Sequence, residues 1–203
     1  MQNAAFAARG LDWSYVARDV APEDFDNAVR RLVVEGFAGA NVTTPHKAAA
    51  AELAETELPS VNTLVFEDGH VRGFSTDVAV LAGLPAERPV VLGDGGAAAA
   101  FREALPQARS FSRRGEWPPD VRDADLVVNA TSERDEVLVE MSPGQTLVDL
   151  PYPDTATAKD ARERGAHIVG GLEVLVAQGA AAFELWTGLP APVEVMRGAV
   201  GLS

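Results

Sequence analysis

Residues 90–98 read Val90-Val-Leu-Gly-Asp-Gly-Gly-Ala-Ala98, an apolar strand that runs into glycines and then into an alanine-rich helix. Glycine permits a tight turn and a close approach of phosphate to the backbone, while a helix start offers unbonded N–H groups and a positive dipole end. Because any tight strand-to-helix turn can use glycine, the pattern favours a dinucleotide site without requiring one. Asp94 argues against it, since a carboxylate repels a pyrophosphate unless it points away.

Five short apolar runs around this turn indicate a parallel sheet buried on both faces. They occupy residues 89–92, 108–111, 126–129, 146–150 and 167–169. The crossover at 113–125 contains Pro118-Pro119, which leaves little room for a helix. We therefore predict a small Rossmann-like, nucleotide-binding domain over residues 86–171, with that crossover helix missing or reduced to a turn.

The N-terminal part alternates between apolar runs and helical patterns, as an α/β chain does. Strands are expected at 14–20 and 37–42, in a parallel sheet. A hairpin is expected from 61–66 and 70–74, which alternate around Asp68-Gly69.

A further helix is expected from Thr76 to just before Pro85, and the last part, from Leu172 onward, has a helical pattern. The predicted fold class is α/β, with two α/β domains. Residues 1–85 together with 172–203 form the first domain, and 86–171 form the second.

The composition of the chain argues against several classes of partner and site. The formal net charge is −13, which argues against nucleic acid and against an anionic membrane surface as partners. The chain has no cysteine, no basic-then-apolar leader and no apolar run near the ~20 residues that span a bilayer, so a cytoplasmic location is expected. The histidines show no metal-ligand spacing, so no metal is expected.

Lys47 is expected in the first turn of a helix that Thr44 caps and Pro45 opens. The helix dipole disfavours a cation there and favours the neutral amine, which suits proton transfer. Asp77 also lies at an expected helix start, where a carboxylate is favourable. On local pattern alone, an ordinary surface lysine is the favoured interpretation of Lys47, and simple capping explains Asp77 as well as a catalytic role does.

Arg113-Arg114 follows the apolar run at 108–111. A site selective for NAD usually places an acid at this strand end, to bind the ribose hydroxyls. Two guanidinium groups suit the extra 2′-phosphate of NADP instead. A solvated basic loop is the alternative.

Taken in order, several motifs resemble shikimate dehydrogenases over nearly the whole chain. They are Ala40-Asn-Val-Thr-Thr-Pro-His-Lys47, Val61-Asn-Thr63, Gly73-Phe-Ser-Thr-Asp77, Gly93-Asp-Gly-Gly-Ala-Ala98, Val127-Val-Asn-Ala-Thr131, Gly171-Leu-Glu-Val-Leu-Val-Ala-Gln178 and Phe183-Glu-Leu-Trp-Thr-Gly188.

The resemblance implies an NADP-dependent oxidoreductase of the shikimate pathway of aromatic amino-acid biosynthesis, which reversibly reduces 3-dehydroshikimate to shikimate. It implies that Lys47 assists proton transfer at the reacting oxygen and that Asp77 orients it. The substrate-binding residues would be Thr43, Asn62, Gln178 and Tyr152. The cofactor-binding residues would be Gly93, Gly95, Gly96, Ala97, Arg113 and Gly171. A monomer and a homodimer both remain open.

Three features depart from the family pattern. Family members begin with a strand and a Ser-x-Ser motif that binds the substrate carboxylate, whereas the first residues here resemble the helix that follows that motif. Ser112 stands where asparagine is usual, and Glu173 where glycine is usual. A quinate- or aminoshikimate-acting relative and an inactive ligand-binding paralogue therefore remain alternatives. The intact Lys47 and Asp77 favour an enzyme, and the absent motif favours the paralogue.

Overall fold

A computed structural model describes residues 1–202 of the chain. The chain contains both helices and strands and folds into two compact units. One unit is formed by residues 1–76 and 176–202, and the other by residues 77–175. This confirms the predicted α/β class, with a parallel sheet in the second unit.

The sheet of the first unit contains the strands β1 (Gly39–Asn41), β2 (Thr63–Glu67) and β3 (His70–Phe74), in that order. The predicted hairpin is confirmed: β2 and β3 are joined at Asp68 and Gly69, both with positive φ, as a two-residue hairpin turn requires. The predicted parallel arrangement is wrong here, because β2 lies antiparallel to both of its neighbours. For β3 the reason is the two-residue turn, which can only return the chain in the opposite direction. The strand β1 also runs antiparallel to β2.

The predicted strand at 14–20 does not form. The backbone of Tyr15 is bonded by a side chain instead, since its N–H donates to Asn3 Oδ1 at 2.6 Å and its carbonyl accepts from Asn3 Nδ2 at 3.1 Å. The helix predicted after Thr76 is also wrong, because only a 3₁₀ turn at Ala79–Leu81 forms there.

The helices of the first unit are α1 (Gln2–Ala8), α2 (Phe25–Val34), α3 (Lys47–Leu53), most of α6 (Gly171–Thr187) and α7 (Val193–Gly198). One apolar cluster joins α2 and α3 to the sheet through residues such as Phe25, Val29 and Leu64. A second joins α1, α6 and α7 through Phe6, Phe183 and Met196.

The second unit contains a five-stranded parallel sheet in the order β5-β4-β6-β7-β8. Its strands are β4 (Pro89–Leu92), β5 (Arg109–Phe111), β6 (Leu126–Asn129), β7 (Thr146–Asp149) and β8 (His167–Val169). The helices α4 (Gly96–Ala104) and α5 (Ala156–Glu163) accompany it. Every residue of β4, β6 and β7 is buried, which confirms a sheet covered on both faces.

The crossover between β5 and β6 contains turns and bends but no helix, as predicted. The side chain of Gln145, just before β7, holds this crossover by hydrogen bonds. Its Nε2 donates to the carbonyls of Val121 and Ala124, both at 2.7 Å.

Candidate active site

The glycine turn after β4 has an open backbone. Gly93 adopts φ +116°, and a Cβ there would lie 3.0 Å from the Ala130 carbonyl oxygen, so only glycine fits comfortably. Cβ atoms at Gly95 or Gly96 would meet nothing within 4 Å. Gly95 is the N-cap of α4 and supplies no side-chain capping bond. The first turn of α4, which includes Ala97, therefore offers backbone N–H groups that suit a pyrophosphate.

Asp94 is balanced by a neighbouring cation. Its carboxylate lies 3.5 Å from Arg114 Nη1, and Arg102 Nη1 donates to the Gly93 carbonyl at 3.1 Å. The negative charge that argues against a phosphate here is therefore offset by Arg114, and a second guanidinium group, that of Arg102, lies on the turn itself.

Arg113 lies just beyond β5, at the strand end where the sequence predicts the 2′-phosphate contact. Its guanidinium forms an ion pair with Glu136 and lies 5.5 Å from the centroid of the Trp117 ring. More than half of its side-chain surface is exposed, so an anion can reach it.

A buried polar network joins the carboxyl ends of the adjacent strands β6 and β7. Leu92, Asn129 and Asp149 occupy the same register position on β4, β6 and β7. Asp149 Oδ1 accepts from Asn129 Nδ2 at 2.6 Å, and Asp149 Oδ2 accepts from Thr155 Oγ1 at 2.8 Å. Burial raises the pKa of the Asp149 carboxyl, although these hydrogen bonds favour its ionised form.

Neither Asn129 nor Asp149 was among the residues predicted from the sequence to form the site. The available signal was that each polar residue ends an apolar run on a neighbouring parallel strand, so the two had to meet at one edge of the sheet.

Gly171 opens α6 and is packed against the loop after β7. A Cβ at Gly171 would collide with the Leu150 carbonyl oxygen and lie 2.7 Å from that of Pro151. Glu173 Oε2 accepts from the Gly170 N–H at 3.0 Å, so this departure from the family pattern caps the helix start. Tyr152 is 54% exposed, and its carbonyl accepts from Arg134 Nη1 at 2.8 Å.

Lys47 is the first residue of α3. The predicted cap is wrong, because the N-cap residue is His46, not Thr44, and Pro45 precedes the helix. Lys47 nevertheless lies in the first turn, as predicted. His46 has a packing role, since its ring is stacked on Phe25 at 4.9 Å and its Nε2 lies 2.9 Å from the Val20 carbonyl oxygen.

Two neighbouring residues, Val61 and Asn62, form hydrogen bonds with the segments that carry Lys47 and Asp77. The Lys47 carbonyl accepts from the Val61 N–H at 3.0 Å. The buried Asn62 Oδ1 accepts from the Thr76 N–H at 2.8 Å, which fixes the residue immediately before Asp77. Asp77 itself is only 7% exposed.

The first unit contains a cavity of about 580 Å³ lined in part by Thr43, Tyr15, Asn41 and Trp186. The Tyr15 hydroxyl donates to Asn41 Oδ1 at 3.1 Å, and Asn41 Nδ2 donates to Thr63 Oγ1 at 3.1 Å. Burial raises the pKa of the Tyr15 phenol. Lys47 and Asn62 are not lining residues of this cavity. Gln178, the remaining predicted substrate residue, is half-buried on α6.

Over residues 1–202, three or more His, Asp or Glu side chains never gather closely enough to hold a metal ion. In the same residues, every helix is too short or too polar to cross a membrane.

Comparison with known proteins gives consistent matches. A family model for the shikimate dehydrogenase substrate binding domain matches residues 1–64, and one for the shikimate 5′-dehydrogenase C-terminal domain matches residues 171–200. The NADP(+) shikimate dehydrogenases of Methanopyrus kandleri and Moorella thermoacetica are each 38% identical, over 98% and 100% of this chain and 89% of each relative.

A solved structure also matches. Shikimate 5-dehydrogenase from Thermus thermophilus, in complex with NADP(H) and shikimate, is 29% identical over 98% of this chain and 91% of that one, with a TM-score of 0.83. The alignment to the Methanopyrus protein is 257 residues long, more than the 203 residues here, so that relative has internal stretches that this chain lacks. With this identity over nearly its whole length, the chain belongs to the shikimate dehydrogenase family.

Proposed function

We propose that this chain is an NADP-dependent shikimate dehydrogenase, which reversibly reduces 3-dehydroshikimate to shikimate in aromatic amino-acid biosynthesis. The observation that carries this proposal is the 38% identity, over nearly the whole chain, to relatives named as NADP(+) shikimate dehydrogenases. Lys47 at the start of α3 and the open glycine turn before α4 supply the chemistry that this reaction needs.

NADPH, when bound, supplies the hydride. The backbone of Gly93, Gly95, Gly96 and Ala97 would hold the pyrophosphate, because the turn is open and leads into a helix N-terminus. Arg113 would pair with the 2′-phosphate. Gly171 would lie beside the nicotinamide, and the absence of a side chain there lets α6 begin directly against the 150–151 loop.

Lys47 would donate a proton to the carbonyl oxygen as that carbon is reduced, and would take it back in the reverse direction. Asp77 would orient the amine and the adjacent ring hydroxyl. The remaining ring contacts would come from Thr43, Asn62, Gln178 and Tyr152. The ketone thus gains one hydride and one proton, which gives the alcohol.

The predicted division of labour completes the proposal. Residues 1–85 with 172–203 would bind substrate, and residues 86–171 would bind NADP. The chain would act on its small-molecule substrate in the cytoplasm, as a monomer or homodimer. The lack of cysteine fits a reducing compartment.

The test is to mix the purified chain with NADP⁺ and either shikimate or quinate and to follow NADPH absorbance. We expect NADPH to form with shikimate at a kcat/KM well above that for quinate. A higher kcat/KM for quinate would assign the chain to a different substrate. NADPH binding without turnover of either substrate would mean a ligand-binding paralogue.

A further inference from the structure

Asp149 ends β7 and is only 1% exposed. Both carboxylate oxygens are bonded by neutral donors, the Asn129 amide and the Thr155 hydroxyl. Burying a carboxylate is unfavourable unless its hydrogen bonds are well placed. The residue therefore calls for an explanation beyond sheet packing, which an apolar side chain would provide as well.

One route leads from Asp149 to the glycine turn. Asn129, fixed by Asp149, uses its own Oδ1 to accept from the Thr131 hydroxyl at 2.8 Å and from the Thr131 N–H at 3.2 Å. These bonds set the turn at Ala130, whose N–H donates to the Leu92 carbonyl at 3.0 Å. The Ala130 carbonyl is the group against which Gly93 packs.

A second route leads to Gly171. Leu150 and Pro151 directly follow Asp149, and the Leu150 N–H donates to the Asn129 carbonyl at 3.1 Å. Their carbonyl oxygens are the atoms that a side chain at Gly171 would meet. The carboxylate itself holds the far end of this loop, because Asp149 Oδ2 accepts from the Thr155 hydroxyl. Its two oxygens thus contact the supports of both glycines, Asn129 on one side and the 150–155 loop on the other.

We propose that Asp149 is a positioning residue for the cofactor, because through Asn129 and the 150–151 loop it sets the backbone at Gly93 and Gly171. This inference rests on the proposed function, since it takes these two glycines as the places where NADP lies. Asp149 itself would not touch the cofactor. Its effect would be on how well the two glycine surfaces match the bound dinucleotide.

The test compares Asp149→Asn with a control on the same strand. Asp149→Asn keeps the volume but places an amide N–H where an acceptor is needed. Gln145→Leu removes two buried hydrogen bonds at the opposite end of β7, far along the strand from either glycine. NADPH dissociation constants come from fluorescence titration, melting temperatures from thermal unfolding, and KM for shikimate from steady-state kinetics.

We expect both variants to melt at a lower temperature than the wild type, but only Asp149→Asn to bind NADPH more weakly. The loss should be on the order of tenfold, the scale of one hydrogen bond to a charged group, with KM for shikimate unchanged. Thr131→Val, which removes the hydroxyl bond to Asn129 Oδ1 without touching the carboxylate, should weaken NADPH binding in the same direction. If Asp149→Asn does not fold, the NADPH affinity of Thr131→Val tests the proposal in its place.

Two results overturn the inference alone: wild-type NADPH affinity in Asp149→Asn and Thr131→Val, or an equal loss of affinity in Gln145→Leu. A wild-type chain that does not bind NADPH at all overturns the proposed function, and this inference with it.

Discussion

At the scale of single residues, Arg113 already has two partners within its own unit. Glu136 forms an ion pair with its guanidinium, and Trp117 lies beneath it. A 2′-phosphate at this site would exchange one anionic partner for another instead of neutralising a free charge. The Trp117 ring, whose centroid is 5.5 Å from the guanidinium carbon, would remain a neighbour in either case.

We predict that wild-type chain binds NADPH more tightly than NADH and that Arg113→Ser removes most of this preference. The variant should lose about tenfold or more in NADPH affinity, the range for hydrogen bonds to a charged group, with little change for NADH. Fluorescence titration with both cofactors measures it.

Arg109→Ser is the matched control, since Arg109 on β5 also pairs with an acid, Asp123, and lies over an aromatic ring. It should leave both affinities unchanged. Equal affinities of the wild type for the two cofactors would contradict the assignment of Arg113.

His70 opens β3 and its Nδ1 lies 2.6 Å from Glu55 Oε1. The hydrogen bond and the negative charge of Glu55 raise the pKa of His70 above 6.5. Because the folded pKa is the higher one, the protonated pair stabilises the fold fully below pH 6.5, and this contribution is lost as the pH rises through the folded pKa.

NMR titration of the His70 ring should therefore give a pKa above 6.5 that falls towards 6.5 in Glu55→Gln. The matched substitution Glu67→Gln, on the neighbouring strand β2, should leave the value where it is. An unshifted His70 in the wild type would show that the pair does not persist in solution.

The position of Arg113 at a strand end could be predicted from the sequence, but its pairing with Glu136 could not. A strand-end position can be inferred from the apolar run before it, whereas Glu136 lies 23 residues later, in the connection between β6 and β7. The two residues meet only because the folded sheet brings the ends of β5 and β6 to the same edge. The same limit applies to Asn129 and Asp149, which are 20 residues apart and meet only because their strands are adjacent.

At the scale of secondary-structure elements, the two sheets differ in how far sequence predicts them. The strands of the second unit were correctly located, and the reason is clearest for β4, β6 and β7, whose residues are all buried and mostly apolar. In the first unit, the hairpin turn could be recognised from Asp68-Gly69, but the direction of β1 could not, since period-2 alternation is the same in parallel and antiparallel sheets.

Residues 14–20 show a further limit. Their composition suits a strand, yet a strand forms only where a neighbour supplies backbone partners, and here the Asn3 side chain bonds Tyr15 instead. The β-propensity of a segment reflects its own residues and does not show whether a neighbouring strand is available to pair with it.

The β4–α4 turn gives a prediction that separates conformation from binding. Gly93→Ala should lower the free energy of unfolding by about 1–3 kcal/mol, because φ +116° is strained for alanine and its Cβ would lie 3.0 Å from the Ala130 oxygen. Gly95→Ala should leave stability nearly unchanged, since Gly95 has φ −79° and open space around a Cβ.

Both substitutions should weaken NADPH binding, but for different reasons. The methyl group at residue 95 would occupy the open space where the pyrophosphate would approach, whereas the methyl group at residue 93 would press on Ala130 and shift the turn itself. Chemical denaturation and NADPH titration measure the two effects separately. If Gly95→Ala bound NADPH as the wild type does, the pyrophosphate would not lie on this turn.

At the scale of the whole molecule, family membership accounts for features that local physics leaves open. Lys47 alone is an ordinary lysine at a helix start, and Asp77 alone is an ordinary buried acid. Their meaning comes from the ordered set of motifs and from relatives matched over nearly the entire chain. The short crossover between β5 and β6 was predictable from Pro118-Pro119, since proline prevents a regular helix there.

We propose that Lys47 transfers the proton in an NADP-linked reaction on shikimate. The most direct measurement is the steady-state kinetics of shikimate oxidation by NADP⁺ for the wild type, Lys47→Ala and Lys159→Ala, together with NADPH titration of each. Lys159, the only other lysine of the chain, is exposed on α5 and serves as the matched control.

We predict that Lys47→Ala lowers kcat by roughly 10²–10⁴, the usual contribution of a positioned proton donor, while NADPH affinity stays near the wild-type value and Lys159→Ala behaves as the wild type. A rise in KM with kcat unchanged would reduce Lys47 to a substrate-binding residue. A Lys47→Ala variant with near wild-type kcat and KM would contradict the proposed mechanism.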